Sequence, residues 1–298
     1  MWFRHHPTML VGVVDVGANT VRLQLSQGKT SVHRAKATLR LGESIERFGR
    51  LPDEKLDETA VVVGEFAREA RKLGVEHLEV LVTSPGRQAA NGQELIDRLA
   101  TTANAPVRVL DSTEEGRLAF LGATAASRGS PRRLLAVVDA GGGSTQIAVG
   151  TRRHGPAWVR SLDIGSMRLT SRMGFSDPPG LEAIRAARDL VERELDGITP
   201  PFPHAAIAVG GSARALKSMA GGGLGQGELA SAVSLLAQLS AAEIVERYGI
   251  EPDRVRTLPA GAVILAAIRG RLGVPLRVGR GGVREGALLE LDSRREAA

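Results

Sequence analysis

The chain has 298 residues, of which 43% are hydrophobic, 3% are aromatic and none is cysteine. That length suits two ordinary domains with cores of Leu, Val, Ile and Ala. The lack of thiols excludes disulfides, thiolate zinc sites and a cysteine nucleophile, and fits a reducing, cytoplasmic setting. A net charge of +6 favours polyanionic partners. Trp2, Trp158 and Tyr248 are few and scattered, so base stacking on nucleic acid ranks below binding a phosphorylated small molecule or polymer. No apolar run reaches the length of a membrane span. The opening MWFRHHPT lacks the apolar core of a secretory signal and reads as a short disordered extension with solvated His5 and His6.

The first strand covers Leu10–Val14 and turns at Asp15–Thr20. Val21–Ser26 is its return partner and Ser31–Thr38 a third strand. Residues 37–44 read as an extended piece, with Arg40 either reaching a phosphate or solvated. A helix starts at Asp53 and ends at Gly74, with Leu56, Ala60, Val63, Ala67 and Ala70 on its core face. His77–Val82 is the next strand. It enters Thr83–Ser84–Pro85–Gly86–Arg87, a candidate oxyanion site at a helix start, with Arg87 beside it. A helix over 93–102 and a strand over 107–110 follow. Asp111–Ser112–Thr113–Glu114–Glu115 then opens another helix, where Ser112 and Glu115 have the spacing of a capping box. Against that plain reading, the crowding of acids there makes Glu115 a catalytic candidate.

Leu135–Val149, LAVVDAGGGSTQIAV, is the most informative stretch. A buried strand ends at Asp139, a residue placed to hold a metal or a water. Gly141, Gly142 and Gly143 lack Cβ, which lets an anion reach the backbone N–H groups. A second strand follows. VVDVGANTVRLQL aligns with VVDAGGGSTQIAV without a gap, putting Asp15 on Asp139, Gly17 on Gly141, Thr20 on Ser144 and Leu23 on Ile147. Two such units predict related halves that share one phosphate-binding cleft. Beyond them, 158–164 is a strand, and Arg168 either contacts an anion or is exposed. A helix begins at Leu181. Ala205–Val209 is a strand ending at Gly210–Gly211–Ser212, a third junction suited to phosphate or ribose. Residues 221–227 form a loop, helices cover 228–238, 241–248 and 262–268, and 276–278 is a last short strand. Arg284 and Glu285 either close the site or cap the final helix.

Nine pieces in this order resemble the exopolyphosphatase / guanosine pentaphosphate phosphohydrolase (Ppx/GppA) family in its short two-domain form. They are VVDVGANTVRLQL, KATLRLGES, TSPGRQAAN, STEEGRLAFLGA, VVDAGGGSTQIAVG, LDIGSMRLT, AVGGSARAL, LPAGAVIL and GVREGALLEL. The resemblance implies an α/β fold of two ribonuclease-H-like domains of the actin, Hsp70 and sugar-kinase superfamily around a cleft. They would cover residues 9–122 and 123–298, with the C-terminal segment a candidate to complete the first. It implies release of terminal phosphate from inorganic polyphosphate or of the 5′ γ-phosphate of guanosine pentaphosphate, assisted by Mg²⁺. By position, Asp15 and Asp139 flank the metal. Gly17, Ala18, Asn19, Gly141, Gly142, Gly143, Ser144 and Thr145 contact phosphate, as does Arg87, and Glu115 falls at the catalytic glutamate.

Three positions depart from that pattern. Gln146 stands where the family usually has a glutamate that positions water or metal, Ala18 where it has serine, and Pro85–Gly86 where it has side chains. Two further readings follow, an attenuated member that senses polyphosphate or alarmone and an ATP-dependent sugar or acid kinase on the same scaffold. Membrane and nucleic-acid partners are not expected, and a homodimer is left open.

Overall fold

The computed structural model describes residues 9–296; His5 and His6, and the extension expected there, lie outside the described residues. The chain first forms β1 (Leu10–Val16), β2 (Thr20–Gln27) and β3 (Thr30–Thr38), then α1 (Leu41–Phe48), α2 (Asp53–Lys72), β4 (His77–Val82), α3 (Ser84–Gln88), α4 (Gly92–Ala103) and β5 (Val107–Val109). Next come α5 (Ser112–Thr124), β6 (Leu135–Ala140), β7 (Thr145–Thr151), β8 (Gly155–Leu162), α6 (Ser166–Met173), α7 (Leu181–Glu194), β9 (Ala205–Val209) and α8 (Gly211–Ala220). The last elements are α9 (Gln226–Gln238), α10 (Ala241–Tyr248), α11 (Pro252–Val255), α12 (Leu258–Leu272), β10 (Leu276–Val278) and α13 (Val283–Glu296).

Two five-stranded sheets result, ordered β3-β2-β1-β4-β5 and β10-β9-β6-β7-β8. Each has an antiparallel three-strand meander, and parallel strands are added beside its first strand. The repeat seen in two short motifs thus extends to a whole sheet plan. Val11, Val13, Val14 and Val16 are all buried, so β1 is covered on both faces.

Residues 41–48 are helical, not extended. Leu41 and Ile45 are buried one turn apart. Arg40 takes a left-handed conformation with φ 53°, and the Gly42 N–H donates to the Ala18 carbonyl at 2.9 Å. A backbone bond replaces the side-chain cap that would have marked this start. Arg40 pairs with Asp253 and does not line the cleft. Arg168 is neither exposed nor an anion contact, because it is buried and paired with Glu46 and Asp163.

α5 and α13 lie between the sheets. α5 covers β6, β7 and β8, while α13 packs on α5 and reaches β1. Leu118, Phe120, Val283, Ala287 and Leu288 join Val11, Val13 and Leu81 of one sheet to Val137, Ala148 and Val209 of the other in one apolar cluster. The two helices cross at glycines. A Cβ on Gly286 would stand 2.0 Å from the Leu118 carbonyl oxygen, and one on Gly122 would stand 2.1 Å from that of Gly282. Among the described residues no helix is long and apolar enough to cross a membrane.

Gly286→Ala should therefore cost about 2–4 kcal/mol in urea unfolding, since backbone cannot yield to the new methyl. Gly270 is an exposed position near the end of the largely buried α12, a Cβ there meets open space, and Gly270→Ala should stabilise by about 0.5–1 kcal/mol. Equal effects of both changes would show that the helix crossing is looser than described.

Candidate active site

The two glycine turns meet. A Cβ on Gly142 would lie 3.3 Å from the Asn19 Cβ, and one on Gly143 would lie 2.4 Å from the Ser84 hydroxyl and 3.1 Å from the Ala18 Cβ. Asp15, Gly17, Ala18 and Asn19 from the first unit share one cavity of about 140 Å³ with Asp139, Gly141, Gly142, Gly143, Ser144 and Gln146 from the second. Within each turn a single bond fixes the bend, Gly17 N–H to the Thr20 carbonyl at 3.1 Å and Gly141 N–H to the Ser144 carbonyl at 3.0 Å. The carbonyls of Gly141 and Gly142 accept from the first turn of α6, which ties the second turn down. Among the described residues, the N–H groups of Ala18, Asn19, Gly142 and Gly143 have no partner within the protein. Four unpaired amides facing a polar cavity make an anion cradle.

Glu115 lines the same cavity and is only 7% exposed. The capping box expected at Ser112 does not form. Asp111 caps α5 instead, its carboxylate accepting from the Glu114 N–H at 2.7 Å. Glu115 is thereby released from the helix start and takes the Arg87 guanidinium at 2.8 Å. Arg87 also donates to the Leu110 carbonyl at 2.5 Å and stands behind Glu115, not on the cavity wall. Burial pushes the Glu115 carboxyl up to about 7 against the opposing pull of Arg87.

Asp139 is raised to about 6, first by burial and then by the like charge of Asp15. Asp15 accepts from Arg284 of α13 at 3.0 Å, so Arg284 reaches the site as well as sitting in the first turn of the last helix. Asp139 has no hydrogen-bond or ion-pair partner among the described residues.

Across each hairpin the residue paired with the aspartate differs, Arg22 opposite Asp15 and Gln146 opposite Asp139. The Gln146 amide donates to the hydroxyls of Ser144 at 2.9 Å and Ser161 at 3.2 Å.

Not all the residues singled out from the sequence reach the cavity. Gly210 and Gly211 line it, but Ser212 is fully buried, packed against Gly261. Thr145 is buried too, its hydroxyl donating to the Ile164 carbonyl at 2.6 Å. Thr20 of the repeated turn and Thr83 of the expected oxyanion segment do line the cavity, whereas the sequence did not single out Arg22, Arg214, Arg254 or Arg280, which line it too. The register of β2 against Asp15 was the one available signal, and it applied only to Arg22. A larger cavity, about 810 Å³ between α1 and the α6, α10 and α12 region, contains none of the glycine turns.

The model of the Ppx/GppA phosphatase family matches residues 21–294. The chain belongs to the Ppx/GppA phosphatase family. It is 28% identical over 308 aligned positions to exopolyphosphatase 1 of Mycobacterium leprae, covering 96% of this chain and 90% of that protein. A crystal structure of the Ppx/GppA member of Aquifex aeolicus matches with a TM-score of 0.82 at 26% identity, over 97% of this chain and 99% of that one. An exopolyphosphatase structure from Cytophaga hutchinsonii matches with a TM-score of 0.86 at 21% identity, over 96% and 98% of the two chains, and shows the fold alone. The fold is α/β, two five-stranded sheets of the same plan, and is shared with the Ppx/GppA structure of Aquifex aeolicus. At the level of the family the protein is a phosphohydrolase.

The raised Asp139 carboxyl has a consequence for stability. Its folded value, about 6, lies above the usual 3.8, so the folded state binds the proton more tightly than the unfolded chain does. Stability is then greatest below the unfolded value and falls as pH rises from 3.8 to 6. Asp139→Asn should raise the melting temperature by a few degrees at pH 8 and should gain nothing at pH 3.5. A scan showing equal gains at both values would mean that the aspartate charge is not the cause.

Proposed function

We propose that the protein releases terminal phosphate from linear inorganic polyphosphate, with Glu115 orienting the attacking water and taking its proton. The carrying observation is Glu115 itself, a buried carboxyl raised to about 7 on the wall of a cleft that also holds unpaired amides, arginines and the carboxylates of Asp15 and Asp139. A base with a value near neutrality suits proton transfer at neutral pH. The water oxygen bonds to the terminal phosphorus, and the bridging P–O bond breaks. The bridging oxygen leaves with the shortened chain. Phosphoryl transfer asks mainly for positioning and charge neutralisation. The amides of Ala18, Asn19, Gly142 and Gly143 supply the positioning, and Arg87 holds Glu115 in place. The 5′ γ-phosphate of guanosine pentaphosphate presents the same bond and is the alternative substrate.

Asp15 and Asp139 suit a divalent cation such as Mg²⁺. Asp139 is an unpartnered carboxylate beside a like charge, and both offer the hard oxygen donors that Mg²⁺ takes. Among the described residues no group of three or more His, Cys, Asp or Glu side chains is placed to hold a metal ion by itself; Mg²⁺ usually keeps several waters and needs only one or two carboxylates beside the substrate oxygens. When bound, the ion would neutralise charge on the phosphate oxygens.

Gln146 favours a second reading, a slow member that binds polyphosphate as a sensor. A glutamine amide orients a water but accepts no proton and gives no charge to a metal.

Phosphate release from polyphosphate with Mg²⁺ should rise with pH through about 7 as Glu115 ionises. Glu115→Gln should lower kcat by about 100-fold or more and flatten that rise. Release from neither polyphosphate nor guanosine pentaphosphate, with polyphosphate still bound, would replace the enzyme by the sensor. ATP consumption only in the presence of a sugar or acid would replace it by a kinase.

Gln146→Glu is the sharper measurement on attenuation. The hydroxyls of Ser144 and Ser161 rotate to donate to a carboxylate as readily as they accept from the amide, so the change should fold. We expect turnover to rise about tenfold or more. An unchanged rate would show that the glutamine does not limit the reaction.

A further inference from the structure

A second space, the cavity of about 810 Å³, lies between α1 on one sheet unit and α6, α10, α11 and α12 on the other. It shares no lining residue with the catalytic cavity. Its volume is that of a small-molecule site, and junctions between structural units are where such sites favour to form. Phe175, Pro179, Leu236, Leu239, Ile244 and Val255 give it an apolar lining, of which Leu236, Ile244 and Val255 are buried.

The charged groups of the lining are unequally engaged. Glu46 takes both Arg168 and Arg172, Glu43 meets Arg256 at 3.8 Å, and Asp177 accepts from the Ala241 N–H at 2.8 Å. Arg47 has no carboxylate partner among the described residues, and its guanidinium lies over the Phe48 ring at 4.9 Å from the centroid. A cationic guest would meet only carboxylates already in use. An anionic head would meet a free guanidinium beside an apolar wall.

The cavity is joined to the glycine turns by backbone. α1 and α6 hold the same place in the two units, each following the third strand of its meander. Gly42 of α1 donates to the Ala18 carbonyl at 2.9 Å, while Ser166 and Met167 of α6 donate to the carbonyls of Gly141 at 2.9 Å and Gly142 at 3.0 Å. Each of those carbonyls shares a rigid peptide plane with the N–H of the next residue. These are the N–H groups of Asn19, Gly142 and Gly143, so two helices fix three of the four amides of the anion cradle. The helices touch where Gly42 leaves room for the Met167 methyl, and both then run on to line the cavity. A guest that bridges α1 and the opposite wall favours the one spacing it fits.

We propose that this cavity binds a small amphiphilic anion, an apolar body with one carboxylate head at Arg47, and that its occupancy steadies the two glycine turns through α1 and α6. The inference does not rest on hydrolysis of polyphosphate, and its test contains no phosphate.

Decanoate, below its micelle-forming concentration, is the probe, and decylammonium carries the same body with the opposite charge. Calorimetric titration should give one decanoate per chain, bound about tenfold more tightly than octanoate and about tenfold or more above decylammonium. Arg47→Gln, at an exposed position, should weaken decanoate about tenfold. Ser171→Trp, exposed and on the lining, should fill the space and abolish binding with little change in Tm. Arg153→Gln removes an arginine elsewhere and should leave the affinity as it was. In hydrogen exchange, saturating decanoate should slow the peptides that contain residues 39–42 and 166–168 about fivefold. Equal binding of decanoate and decylammonium would overturn the anionic ligand, and decanoate binding untouched by Ser171→Trp would overturn the site. Binding with unchanged exchange at 39–42 and 166–168 would overturn the link to the turns. A protein that releases no phosphate from polyphosphate would leave each of these outcomes as decisive as before.

Discussion

Two backbone turns approach this closely only because the residues at their contact have little or no side chain. Gly142 and Gly143 face Ala18, Asn19 and Ser84 at distances that leave no room for a Cβ on Gly143. Ala18 keeps that contact small, being 5% exposed. The approach brings the strand ends with it, so Asp15 and Asp139 arrive in one cavity. Their mutual repulsion, added to burial, raises Asp139. The perturbed titration is a consequence of chain geometry, not a separate feature.

The charges are arranged in zones. Four carboxylates, Asp15, Glu115, Asp139 and Glu285, line the cavity, and arginines from β2, α8, α11, α13 and the loop before α13 ring it. α13 links this ring to the core of the molecule. Its first turn carries Arg284 to Asp15, while Gly286 two residues on presses against α5. The tightest helix contact between the sheets therefore also fixes a cation of the site. A methyl forced into that crossing would shift Arg284 as well as loosen the apolar cluster, so stability and charge placement are coupled there.

The strands and the twin turns were legible because valine and isoleucine runs ending in Asp and Gly admit few other structures. α1 was not, because its start is a left-handed arginine followed by a backbone bond to Ala18, which leaves no side-chain cap to read. Glu115 was legible as a residue but ambiguous in role. Ser112-x-x-Glu115 has the letters of a capping box, and one position of register, Asp111 in place of Ser112, decides whether the glutamate is used up. Thr145 and Ser212 sit in phosphate-like motifs, yet their hydroxyls face inward, a distinction that depends on the neighbouring layer. Arg214, Arg254 and Arg280 had no local signal, since they reach the cavity from segments far from its glycine turns in the chain.

The contacts joining the two sheets are of two kinds. On one side Leu118, Phe120 and Leu288 are buried in the shared cluster, each large apolar side chain contributing about 1.5–3 kcal/mol. On the other, β3 and α1 meet α6 and α11 through charged pairs, Lys36 with Glu251, Arg40 with Asp253, Glu43 with Arg256 and Glu46 with Arg168. All but Glu46–Arg168 are solvent-exposed to a third or more, and such pairs contribute about 0–1 kcal/mol each and weaken with salt. The 810 Å³ cavity lies on this second side, where buried Met167 of α6 packs against Gly42 of α1. Contact between β3 and α11 thus rests on exposed pairs that salt screens, whereas the apolar cluster on the opposite side is indifferent to it.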